Sequence, residues 1–98
     1  MKKKSIKISL NTKKIKNIKE KNIKNEITKY EINITTSVNY NIIGENYSGE
    51  FSVTEYGDYS VATDYSQTLT NEKNLVNLLA DNVGDKIVDE LISKFNEL

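Results

Sequence analysis

The side chains able to do chemistry in this 98-residue chain are carboxylates, lysines, tyrosines and hydroxyls, because it has no Cys, His, Trp or Pro and all 14 basic residues are Lys. That set excludes a Ser-His-Asp or Cys-His nucleophile, a zinc site of the usual nitrogen and sulfur ligands, and an imidazole titrating near neutral pH. Two carboxylate pairs, Asp81 with Asp85 and Asp89 with Glu90, have the types needed for general acid/base work or cation binding. They fall on or near the polar side of a helical pattern, where a solvated face is the ordinary role of such residues. No Gly-rich phosphate loop, RNP-like aromatic signature or calcium-loop spacing occurs. The chain is therefore expected to be non-enzymatic, with no catalytic residues, metal or cofactor.

Two constellations remain. Lys13, Lys14, Lys16, Lys19, Lys21 and Lys24 form a basic stretch with the chemistry of an anion site, in which Lys supplies attraction without the bidentate geometry of Arg. Residues 1–30 hold 11 Lys against Glu20 and Glu26, while residues 31–98 hold 3 Lys against 12 acids, so the neutral chain is a charge dipole in sequence. Its basic third suits a glycolipid or other anion. A nucleic acid is not the expected partner; steep weakening of binding with salt would distinguish it. A solvated strand edge in an Asn-, Ile- and Lys-rich chain accounts for the same residues without a ligand. The six tyrosines, at 30, 40, 47, 56, 59 and 65, either line a ligand surface or pack across strands beneath a helix, the commoner role.

The elements that must position these groups are legible from period. Residues 5–12 alternate, with Ile6, Ile8 and Leu10 on one side, as in a half-buried strand. Residues 13–26 are a Lys-rich connection, read as a ragged strand extension or a mobile basic loop, with a weak helix as the lesser alternative. Residues 28–42 are the clearest strand, placing Tyr30, Ile32, Ile34, Thr36, Val38, Tyr40 and Ile42 on one face. Gly44-Glu45-Asn46 marks a turn into a third strand from Tyr47, which Gly57-Asp58 is expected to break or bulge before it resumes through Tyr65. From Asn71 the period becomes helical, with Leu75, Leu79, Val83, Ile87, Leu91 and Phe95 on one face and Thr70 or Asn71 as N-cap. Gly84 then implies close packing on the sheet or a kink. The fold class is α+β: a single domain with an antiparallel sheet of about three strands, a long hairpin, and a C-terminal amphipathic helix covering one face.

The order strand, Lys-rich connection, long hairpin and helix resembles the C-terminal two-thirds of the LPS-assembly lipoprotein (LptE) family. Lys29-Tyr30-Glu31-Ile32 is similar to that family's Glu-Tyr strand entry, residues 40–47 resemble its hairpin, and Asn71-Glu72-Lys73-Asn74-Leu75 through Ile87-Val88-Asp89-Glu90-Leu91-Ile92-Ser93-Lys94-Phe95 resemble its closing helix. The resemblance implies an assembly role at the periplasmic face of the outer membrane, with an LptD-like barrel and lipopolysaccharide as partners; the alternative is a stand-alone α+β protein-interaction module with a basic anion-binding loop. The resemblance also implies that Lys24, with Lys21 beside it, stands where the family contacts phosphorylated glycolipid. A second basic position expected before the last helix falls on Leu69 or Thr70. Met1 to Lys4 look like the charged start of a signal peptide, but no hydrophobic region, cleavage site or lipobox Cys follows, and the family's first strand and first helix have no counterpart. Without that helix, half of the sheet face is expected to be uncovered, giving marginal stability or a homodimer.

Overall fold

The structure, a computed structural model, describes residues 5–44 and 47–96; the expectations on Met1 to Lys4 and on Glu45 and Asn46 lie outside them. Three strands, β1 (Ser5–Lys21), β2 (Ile27–Ile43) and β3 (Tyr47–Ser60), precede a helix, α1 (Tyr65–Asn96). The strands form an antiparallel sheet in the order β1-β2-β3, and α1 packs on one face, as the α+β reading expects.

Side-chain alternation decides which face is covered. The even residues of β2 from Ile32 to Ile42 are all buried, and the register pairs Thr36 with Val53, Val38 with Phe51 and Tyr30 with Tyr59, so β3 turns its odd residues to the same side. Leu79, Val83 and Ile87 close the core from α1, with Leu75, Val76 and Leu91 packed around them. A four-residue apolar repeat drifts by roughly 40° per step around a helix of 3.6 residues per turn. The middle of the series therefore faces the sheet, while Phe95 has rotated onto a flank and is 36% exposed. Thr36, the buried polar residue among those described, shares a 2.9 Å hydrogen bond between hydroxyls with Thr12 of β1.

One open reading is decided and four expectations change. The Lys-rich segment is the ragged strand extension and not the mobile loop, because Lys13 to Lys21 continue β1 against β2, with register shifts between Ile18 and Glu20 and between Glu20 and Lys21, and the connection is only residues 22–26. Asn residues do the work for which Gly and Pro are lacking: Asn22 Oδ1 accepts from the Lys24 and Glu26 N–H groups, and Asn25 takes the left-handed conformation at φ 65°. Gly57 neither breaks nor bulges β3, since it pairs with Ile32 in unbroken register. It provides the close approach to the helix, because a Cβ there would lie 2.8 Å from Leu75 Cδ1, whereas Gly84 is exposed with nothing within 4 Å of a Cβ. Finally, β3 ends at Ser60 and Tyr65 belongs to the helix, whose N-cap is Asp64: its carboxylate accepts from the Ser66 N–H and hydroxyl, both at 3.0 Å.

Candidate functional site

Because α1 lies over β2 and β3, most of the inward side of β1 is left uncovered. Pairing of Ile8 with Tyr40, Leu10 with Val38 and Ile18 with Tyr30 puts these β1 residues on the helix-bearing face. Ile6, Ile8, Leu10 and Ile18 nevertheless remain 36, 42, 58 and 51% exposed. At one end, Ile6 and Ile8 form an apolar groove of about 280 Å³ with Leu91, Ile92 and Phe95 of the helix. The opposite face is mostly polar, carrying Ser37, Asn39, Asn41, Ser52 and Thr54, with a Thr35–Thr54 hydroxyl contact of 2.9 Å across it, although exposed Ile15, Ile43 and Tyr56 share that face. The apolar residues of β1 are thus concentrated on the helix-bearing face, where Ile6, Ile8, Leu10 and Ile18 lie, with Ile15 on the other.

The six lysines do not form one patch, because a strand sends successive side chains to opposite faces. Lys14 and Lys16, paired with Ile34 and Ile32, lie on the helix-bearing side. Lys13 pairs with Thr35 and lies on the polar side, as does Lys19, whose ammonium is 3.3 Å from Glu31. Asn33, which donates at 3.0 Å, and then Lys19 hold the Glu31 carboxyl below its usual range. Lys21 and Lys24 stand at the hairpin end, so that Lys19, Lys21 and Lys24 cluster there by position in the chain while Lys13, Lys14 and Lys16 are divided.

Lys16 anchors a distinct arrangement where β1 meets the first turns of α1. Its ammonium lies 4.4 Å from the Tyr30 ring centroid and 5.7 Å from that of Tyr59, and 3.5 Å from the Glu72 carboxylate. Tyr30 and Tyr59 are register partners whose rings stack at 5.7 Å. The Tyr59 oxygen, foremost, raises the Lys16 pKa above its ordinary value, with Glu72 adding to it and burial opposing. That contact falls short of hydrogen-bond geometry, so the buried Tyr59 hydroxyl has no hydrogen-bond partner among the described residues. These groups and Ile27, Val61, Ala62, Tyr65, Thr68 and Leu69 enclose a cleft of about 430 Å³. The Lys signal was visible in the sequence; its union with Tyr59 was not, because it depends on the register of two hairpins.

The other tyrosines divide. Tyr40 packs with Tyr47 and Phe51 at centroid distances of 6.2 and 6.1 Å, while Tyr56 and Tyr65 are 71 and 75% exposed. Asp81, Asp85 and Asp89 are exposed on α1, Glu90 pairs with Lys94 one turn on, and no group of three potential metal ligands occurs among the described residues. Among those residues, no helix is long and apolar enough to cross a membrane. Comparison with protein-family models, curated proteins and solved structures finds no match for the chain.

Proposed function

We propose that this chain is a non-enzymatic, LptE-like assembly subunit that binds an LptD-like outer-membrane barrel at the periplasmic face and assists lipopolysaccharide transport. The observation that carries the reading is the uncovered apolar strip of β1 beside the Leu91, Ile92 and Phe95 flank of α1, a surface suited to a protein partner rather than to solvent. The identity of the barrel rests on the resemblance of residues 29–32, 40–47 and 71–95 to the family.

Charge favours a foreign partner over a second copy at the β1 edge. β1 carries Lys7, Lys13, Lys14, Lys16, Lys19 and Lys21 against Glu20 alone, so two such edges laid together repel, as Lys-bearing edge strands commonly do. Lys19, Lys21 and Lys24 at the hairpin end supply attraction for the phosphates of the glycolipid.

Co-expression with the LptD-like barrel from the same source tests the reading. A complex that co-elutes in detergent and is lost with Leu10→Asp, while the isolated variant stays folded, supports it. A barrel that elutes without the chain contradicts it. For the glycolipid, Lys21→Glu with Lys24→Glu should weaken binding about tenfold or more at low salt, as expected when two attractive charges become repulsive; unchanged binding removes the hairpin end from the site.

A further inference from the structure

We infer that the cleft between β1 and the first turns of α1 is a binding site for a small amphiphilic oxyanion: one carboxylate or phosphate monoester on a hydrocarbon body. This inference stands apart from the barrel reading, because it concerns a different surface and a soluble ligand.

At the floor of the cleft the Lys16 ammonium lies 5.7 Å from the Tyr59 ring centroid, with Glu72 as the lining acid. Tyr59 is 5% exposed, and its hydroxyl is buried without a hydrogen-bond partner among the described residues. A buried hydroxyl left unsatisfied is costly, so an acceptor there is worth more than at a wet surface. The Lys16 ammonium beside it cannot accept, and its own acidic partner, Glu72, is at the long distance of 3.5 Å. An anionic oxygen between Lys16 and Tyr59 would receive from both. One oxyanion therefore answers both needs, whereas a cationic ligand would face the Lys16 ammonium already lying over the Tyr30 ring.

The walls supply the rest of the specificity. Val61, Tyr65 and Leu69, exposed at 37, 75 and 47%, border the opening, and Ile27 and Tyr30 also line it. A volume of about 430 Å³ lies in the range of small-ligand sites, which combine apolar walls with few convergent polar groups. The alkyl or aryl body would cover Val61 and Leu69 while the head reaches Lys16 and Tyr59.

The test is a titration of the full chain followed by amide chemical shifts, using octanoate, octyl phosphate, octanol and inorganic phosphate as probes. Octanoate or octyl phosphate should give saturable shifts centred on Val61, Thr68 and Leu69, with octanol and inorganic phosphate each at least about tenfold weaker, because each lacks one half of the recognition. Tyr59→Phe keeps the ring and removes the hydroxyl; it should lower octanoate or octyl phosphate affinity about tenfold while leaving the unliganded spectrum folded. Lys16→Gln should do the same. Vesicles containing phosphatidic acid separate the sources of the oxyanion: soluble octyl phosphate should compete with them at these residues. Absence of saturable shifts with both amphiphiles, or equal affinity in Tyr59→Phe, would overturn the inference, as would vesicle binding that soluble octyl phosphate cannot compete.

Discussion

At the scale of the residue, Asn does what Gly and Pro do elsewhere. Asn25 holds a left-handed backbone in the β1–β2 connection, and Asn22 caps that turn with its side chain. Asn25→Ala should cost about 1 kcal/mol in denaturant unfolding, while Asn25→Gly should be neutral or slightly stabilising, because only the Cβ makes that conformation unfavourable. In sequence this turn was hidden: Lys-Asn-Ile-Lys-Asn-Glu reads as one more piece of a polar, Asn-rich tract, and the signal that could have found it is the Asn pair three apart, able to bond its own backbone. Glu31 gives the pH dependence at this scale. Its folded pKa is depressed by Asn33 and Lys19, so its contribution to stability is present above the ordinary carboxylate value of 4.5 and is lost as pH falls through the lowered folded value. The stability difference between the native chain and Glu31→Gln should therefore be present at pH 7 and close under acid; a difference that grows under acid would reverse the sign.

At the scale of the element, the apolar period placed β2 and the core of α1 nearly to the residue, since alternation and the helical repeat are both imposed by burial on one face. Glycine roles were less legible because they depend on what lies opposite. Gly57 lets the helix approach the sheet and Gly84 does not, which gives opposite expectations for the same substitution. Gly84→Ala should stabilise by up to about 1 kcal/mol, the helix-propensity gain at an open, exposed site. Gly57→Ala should destabilise, by about 1 kcal/mol or more, because Leu75 must move aside. Thermal melts of the two variants decide the matter, and a stabilising Gly57→Ala would contradict the packing described. The helix start was misplaced by six residues, from Asn71 to Tyr65, because polar Ser66, Gln67, Thr68 and Thr70 mask the first turns, although Asp64 is a fitting cap. Asp64→Ala should cost about 1 kcal/mol.

At the scale of the whole molecule, three long strands and one helix make a rod rather than a sphere, 66 × 19 × 17 Å, with a Cα radius of gyration of 18.6 Å. A compact domain of this length would be near about 13 Å. The shape follows from strands of 17, 17 and 14 residues laid side by side with one helix over two of them. A half-covered face was expected only through the family resemblance, and the residues themselves could not tell which strand would be left bare. The register decides that: β2 is central, the helix follows directly from β3, and β1 takes the exposed edge. The lysines of β1 are thereby distributed over two faces of that edge, and the apolar strip on its helix-bearing face is the docking surface proposed above. Replacement of Leu10 by a photoreactive phenylalanine analogue, with Thr54 on the polar face as control, tests this most directly in the cell envelope of the source. The account predicts irradiation products that join position 10, and not position 54, to an LptD-like barrel; products that contain only further copies of this chain, or no barrel at either position, would contradict it.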